Sequence, residues 1–129
     1  DHDLSDSDLA HAVRAASIIV IGTSVPAGVS NVAAVLPIAN MAEEEGTFTN
    51  LRGRVQRFLQ AKAAPGEARP SWSVISDVLI ALGERADYYT AGAVFAALAA
   101  AHSDFNGLSY DKIGLRGLPV LSAQPAGAA

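Results

Sequence analysis

Ile18-Ile19-Val20-Ile21 is a continuous run of β-branched residues, and no other stretch of the chain limits the fold as sharply. Val and Ile lose rotamer freedom in a helix and pack well on a pleated surface. An unbroken run, as opposed to an alternating one, predicts a strand buried on both faces of a parallel sheet. Gly22-Thr23-Ser24 turns the chain out of that strand. Residues 25–32 are expected to form a short crossover helix, with Pro26 tolerated in its first turn. Residues 33–36 return as the parallel neighbour, and Pro37 halts them because proline has no N–H to give a ladder. The class expected is α/β. Ligands in such sheets sit beyond the carboxyl ends of the strands, where residues 22–24 and 37–40 would both lie.

The next passage is the richest in chemistry. Glu43-Glu44-Glu45-Gly46 reads as an acidic turn, with Gly46 free to take positive φ. Thr47-Phe48-Thr49-Asn50 alternates with period two, so an extended segment puts Phe48 on one face and both threonines on the other. Gly53 allows a second bend, with Arg52, Arg54 and Arg57 gathered around it. Arginine's planar fork suits a phosphate or a carboxylate, so the cluster is a candidate anion site. The plainer reading pairs these arginines with Glu43, Glu44 and Glu45 and makes them pins for the loop; composition favours it.

Taken together, residues 35–57 resemble the molybdopterin oxidoreductase superfamily, in which a strand ending in Leu-Pro leads into Glu-x-x-Gly-Thr-Phe-Thr-Asn and then Gly-Arg-Val-Gln. They look most like the C-terminal region of the large iron–sulfur subunit of NADH–quinone oxidoreductase (respiratory complex I). Pro65-Gly66-Glu67-Ala68-Arg69-Pro70-Ser71-Trp72 is similar to a Pro-Gly-x-Ala-Arg-x-x-Trp passage of that large subunit. The likeness runs from about residue 18 to residue 83. Two polar positions depart from it: Ala33-Ala34 stands where Ala-Asp is frequent, and Arg52 where Glu often precedes Gly-Arg.

The resemblance implies part of a three-layer molybdopterin-oxidoreductase-type domain with a small parallel sheet, followed by helices. Residues 1–83 would be the partial domain carrying the Leu-Pro and Gly-Thr-Phe-Thr-Asn loop, and residues 84–129 a C-terminal helix and extended tail. The function it implies is that of a structural and assembly segment of the large complex I subunit. Electron transfer from NADH to quinone, and the iron–sulfur clusters, would belong to other regions. Partners would be other subunits or domains of a respiratory complex, held on the cytoplasmic face of the inner membrane. The alternative is a pterin-binding fragment of an active molybdenum or tungsten oxidoreductase such as formate dehydrogenase. There Thr47, Thr49, Asn50 and Arg54 would help hold the molybdopterin, and a metal ligand would come from outside this chain. A further alternative is a non-catalytic protein-interaction module.

The remaining segments carry fewer signals. Ser5 and Asp8 fit a capping-box variant opening an amphipathic helix through Leu9, Ala12, Val13 and Ala16. Ser71 is a good N-cap for a helix with Trp72, Ile75, Val78, Leu79 and Leu82 on one apolar face and Gly83 as its stop. Thr90 caps a third helix over residues 91–101, apolar nearly all round and too short to span a bilayer. His102-Ser103-Asp104 is adjacent in sequence, which is not the geometry of a catalytic triad. Residues 118–129 read as a flexible Pro/Ala/Gly tail.

Composition closes off several classes. The chain has no cysteine, which excludes disulfides, thiol catalysis and cysteine-ligated clusters within these residues. Its three histidines show no zinc spacing. A net charge of −4 argues against nucleic-acid binding. Starting at Asp1 without a signal-peptide pattern, the chain is read as a segment of a longer polypeptide.

Overall fold

In the computed structural model, which describes residue 11 and residues 16–120, β1 (Ile18–Gly22) and β2 (Val32–Pro37) pair in parallel, with Ile19 opposite Ala34 and Gly22 opposite Pro37. The helix expected to precede β1 lies outside the described residues except for His11, which is helical and exposed. The crossover between the strands differs from expectation. Residues 23–31 form no helix; a turn at Ala27 and Gly28 carries the chain across, with Gly28 at φ +84°. Pro26 and Gly28 in so short a span leave too little helical preference to nucleate a turn. Without that helix the sheet is uncovered. Val20 is buried, but Ile19 is 61% exposed and Val35 45%, so the expected burial on both faces is not met within this chain.

A second sheet follows. β3 (Gly46–Thr49) and β4 (Arg54–Phe58) form an antiparallel hairpin, with Thr47 opposite Arg57 and Phe48 opposite Gln56. Period two places Thr47, Thr49, Val55 and Arg57 on one face and Phe48 and Phe58 on the other, the split expected for Phe48 and the threonines. Phe48 and Phe58 stack at 4.9 Å. Gly46 does not adopt positive φ, contrary to expectation; a Cβ there would meet the Phe58 ring at 2.9 Å, so its lack of a side chain makes room for that ring. Leu118 and Pro119 form β5 (Leu118–Pro119) against Val55 and Arg54. The expected tail therefore begins at residue 121 at the earliest, since Leu118 and Pro119 belong to a sheet and Val120 is buried. Residues 121–129 lie outside the described residues.

Two helices of some length follow among the described residues. α1 (Ser71–Ala81) ends at Leu82, and Gly83 at φ +89° closes it: the N–H of Gly83 donates to Ile80 and that of Glu84 to Leu79. Its buried residues are Val74 and Ser76, while Ile75, Leu79 and Leu82 of the expected core face are exposed. α1 is apolar on most of its circumference, so periodicity alone does not choose which stripe turns inward. α2 (Ala91–Ala101) is capped as expected, with Thr90 Oγ1 accepting the Ala93 N–H at 3.1 Å. A 3₁₀ turn, Ser103–Phe105, and the short α3 (Tyr110–Ile113) fold back beneath it. Val55, Phe95, Ile113 and Val120 form the buried core, with Leu98, Phe105 and Leu108 packed around them. The hairpin and the C-terminal helices thus share one core. This small parallel sheet, antiparallel sheet and helices make the chain α/β.

Candidate functional site

Because β1 and β2 are parallel, both carboxyl ends open on the same side of the molecule. β1 leaves through Gly22 and Thr23, and β2 through Pro37, Ile38 and Asn40. A third segment is brought alongside: Ile38 bridges Arg69 in parallel fashion, and the Ala39 N–H donates to the Arg69 carbonyl at 2.7 Å. That contact seats the turn Pro65-Gly66-Glu67-Ala68 beside the strand ends, with Gly66 at φ +55° and the Ala68 N–H on the Pro65 carbonyl. The three segments line an open cleft of about 300 Å³, formed by Thr23, Pro37, Ile38, Asn40, Glu43, Pro65, Glu67 and Ala68, with Thr23, Asn40 and Glu67 exposed to solvent.

Some polar groups at this cavity are committed to the protein. Glu43 is buried, and its Oε2 accepts the Asn40 N–H at 3.0 Å while Oε1 pairs with Lys62 Nζ at 2.9 Å. The Asn40 N–H, followed by Lys62, holds the Glu43 carboxyl below its ordinary value of 4.5. Gln60 Nε2 donates to the Glu43 carbonyl, and the Ala42 carbonyl accepts the N–H groups of Ala61 and Lys62. The Asn40 Oδ1 in turn accepts the Ala42 N–H at 2.9 Å. Other groups remain unspent: the Thr23 hydroxyl, the Asn40 amide nitrogen and the Glu67 carboxylate make no hydrogen bond or ion pair among the described residues.

The residues singled out in the sequence lie elsewhere. Thr47 lines a second cavity of about 250 Å³, with Phe48, Phe58, Trp72, Phe95 and Tyr110 among its walls. Thr49 ends β3 and is exposed. Asn50 Oδ1 accepts the N–H groups of Arg52 and Arg54 at 2.9 and 3.0 Å, shaping the hairpin turn that Gly53 completes at φ +67°. Arg54 Nη1 donates to the carbonyls of Gly117 at 2.8 Å and Arg116 at 3.3 Å. Asn50 and Arg54 are therefore joined through one turn, while Thr47 turns toward a different space. None of these residues lines the cavity at the strand ends.

The expected pairing of the arginines with the three glutamates is not formed. The ion pairs among the described residues are Lys62–Glu43 and Arg69–Asp77. Arg57 instead lies 3.9 Å over the Tyr110 ring, a cation–π contact on the core face of the hairpin. Burial, with Glu45 adding to it, raises the Tyr110 hydroxyl above its ordinary value of 10.0. Glu44 spends its carboxylate on Ser71, accepting the backbone N–H at 2.7 Å. Glu44 thereby takes over the capping role expected of Ser71, whose own side chain caps nothing. His102, Ser103 and Asp104 form the end of α2 and a 3₁₀ turn, and no interaction joins them as a triad. Among the described residues no group of three or more His, Cys, Asp or Glu is placed to hold a metal ion. No helix among them is long and apolar enough to cross a membrane.

Glu67 is the residue that sequence reasoning passed over. The signal was the Pro65-Gly66 pair ahead of it, a turn dipeptide that fixes the backbone there. What the sequence does not show is that this turn docks on the end of β2.

Residues 3–80 match the family model described as molybdopterin oxidoreductase, and the chain belongs to that family. Among curated relatives it is similar to the alpha subunit of F420-dependent formate dehydrogenase 2 of Methanococcus maripaludis, 37% identical over 65% of this chain and 13% of that protein. The alpha subunit of F420-dependent formate dehydrogenase 1 of the same organism is 31% identical over 89% of the chain and 18% of the relative. The assimilatory nitrate reductase catalytic subunit of Bacillus subtilis is 35% identical over 61% of the chain and 12% of the relative. The chain thus spans less than a fifth of the length of these relatives. They are formate dehydrogenase and nitrate reductase subunits, which corrects the expected likeness to the large subunit of complex I.

Proposed function

We propose that this chain is a segment of the catalytic subunit of a molybdenum or tungsten oxidoreductase of the formate dehydrogenase type, and that it holds part of the pterin cofactor. The observation that carries this reading is the similarity to formate dehydrogenase alpha subunits, at up to 37% identity. It favours the active-enzyme alternative over a complex I scaffold.

The chemistry of the cavity at the strand ends fits such a group. A pterin nucleotide carries hydroxyl groups, ring nitrogens and carbonyl oxygens besides its phosphates, and with Glu43 and Glu67 in the lining this cavity suits the uncharged part of such a group, its phosphates lying outside it. Thr23 and Asn40 offer unspent donors there and Glu67 an unspent acceptor, over apolar walls from Ile38 and Pro65. When bound, the pterin-held metal would supply two-electron redox chemistry. The role of these residues is to bind and orient. Thr47 and Thr49 have free hydroxyls for the same purpose, whereas Asn50 and Arg54 would serve by shaping the hairpin turn, since their bonds are already directed into it.

The test is made on the full-length subunit containing this segment, purified without added cofactor. Elemental analysis for molybdenum and tungsten, and fluorescence of pterin released on denaturation, should both show near-stoichiometric amounts. Formate-dependent reduction of an artificial electron acceptor should accompany them. Iron without either metal or pterin would overturn the proposal and restore the scaffold reading.

A further inference from the structure

We propose that the outer edge of β3 receives an extended segment of the parent subunit from outside these residues. That segment pairs with the backbone of Thr47 and Thr49 and seats one apolar side chain in the cavity beside Phe48, Phe95 and Tyr110. This rests on the reading of the chain as a segment of a longer subunit, and not on the cofactor that the subunit holds.

The ladder itself says which backbone groups are open. The Asn50 N–H donates to the Arg54 carbonyl at 2.9 Å, directly across the hairpin. Bonded and non-bonded pairs alternate along an antiparallel ladder. Gly46 and Phe48 therefore direct their N–H and carbonyl groups at β4, and Thr47 and Thr49 direct theirs away from it. The sheet order is β3-β4-β5, so those groups face an edge that no described strand covers. The opposite edge is built differently. The Val120 N–H donates to the Gly53 carbonyl at 2.8 Å, and the same alternation turns Leu118 toward β4 and Pro119 outward. Proline has no N–H to offer, so that edge is closed to a further strand. β3 carries neither a proline nor a charge. One edge of the sheet is blocked, and the other is left able to pair.

The space beside the open edge suits a strand of the same protein. Thr47 and Phe48 line the cavity of about 250 Å³ together with Phe58, Trp72, Phe95 and Tyr110. An apolar cavity of ~150 Å³ is enough for benzene, so this one admits a single large side chain. A strand laid along β3 brings one of its side chains next to Thr47, on the side of the cavity. Glu44 and Glu45 in the same wall exclude an acidic one. Phe48 is 55% exposed within this chain, a ring that the added segment covers. Backbone pairing supplies the affinity and the cavity sets the register, as in other cases of strand addition. In the formate dehydrogenase relatives more than four-fifths of the polypeptide lies outside the matched stretch, and the segment is assigned to that remainder.

The experiment is made on the full-length subunit. With p-benzoylphenylalanine in place of Phe48, irradiation should yield a product of monomer mass on a denaturing gel. Peptide mass spectrometry should then find the crosslink on one stretch of the same polypeptide, outside these 129 residues. A crosslink to another polypeptide, one within the 129 residues, or none overturns the proposal. Thr49→Pro deletes only an outward N–H, which an uncovered edge tolerates. Its melting temperature should fall at least about 2 °C below that of Thr49→Ala, which keeps the N–H. Equal melting of the two decides against an added strand. Pterin is measured on the same preparation, so a failure of the cofactor reading shows itself separately.

Discussion

The Glu44 carboxylate accepts both the backbone N–H of Ser71 at 2.7 Å and its hydroxyl at 3.0 Å, tying the acidic turn to the start of α1 across 27 residues of sequence. The first N–H groups of a helix have no partner within it, and a negative charge there is further favoured by the helix dipole. Replacing Glu44 by Ala should therefore lower stability by about 1–2 kcal/mol, the range of a lost N-cap. Ser71→Ala keeps the N–H contact and should cost less. Urea titration of both variants checks this, and a Glu44→Ala chain as stable as wild type would remove Glu44 as the cap.

Glu43 makes stability depend on acidity in a defined direction. Its folded pKa is depressed below 4.5, chiefly by the Asn40 N–H and then by Lys62, so the contribution of the carboxylate is complete above the unfolded value and is lost as pH falls through the folded one. A Glu43→Gln chain should melt below wild type at neutral pH. The gap between the two should close as the pH is lowered from about 4.5 through the depressed folded value. Melting curves across that range decide the matter; a gap constant with pH would show that the charge has no part in holding Asn40.

The three arginines of the hairpin should separate cleanly on mutation. Arg52 has no side-chain bond among the described residues, and Arg52→Ala should change stability by less than about 0.5 kcal/mol. Arg57→Ala loses the contact with Tyr110, worth about 0.5–1 kcal/mol. Arg54→Ala releases the carbonyls of Arg116 and Gly117 and should cost about 1–2 kcal/mol. Thermal melts of the single variants suffice, and an equal loss for all three would overturn this ranking by contact.

Gly117 holds β5 to the hairpin by having no side chain. It sits at φ +73°, and a Cβ would collide with the Val55 carbonyl oxygen and the Gln56 side chain. Gly117→Ala should destabilise by at least about 2 kcal/mol, since strained backbone and overpacking add. Gly28 has φ +84° with open space around it, so Gly28→Ala should cost only about 1 kcal/mol. Unfolding titrations that rank the two the other way would place β5 outside the folded unit.

Much of this architecture could be read in the residues. The Ile18–Ile21 run, the Leu36-Pro37 stop and the Thr47-Phe48-Thr49 alternation each express a local preference that tertiary structure did not override. Apart from the crossover helix, which Pro26 and Gly28 disfavour locally, three errors share one cause, which is that they depend on what packs against what. α1 is apolar around most of its surface, so its buried stripe through Val74 was not distinguishable from the one through Ile75. Leu118 and Pro119 look like tail in isolation and become a strand only because β4 offers them an open edge. The pattern of charges near Arg52 suggested pairing by proximity in sequence, whereas Glu43 and Glu44 reach Lys62 and Ser71 on the other side. At the candidate site, the strand ends at Thr23 and Asn40 were legible from topology. Glu67 was not, because the backbone contact that brings it there, Ala39 to Arg69, leaves no trace in side-chain identity.

The missing crossover helix also sets an order of protection within the molecule. β1 and β2 rely on each other's backbone bonds with Ile19, Ile21 and Val35 left to solvent, whereas β4 is sealed by Val55, Phe95 and Ile113. Regions with little buried apolar contact open at lower free energy than the core around them. Amide protons of Val20 and Val35 should therefore exchange with deuterium well before that of Val55.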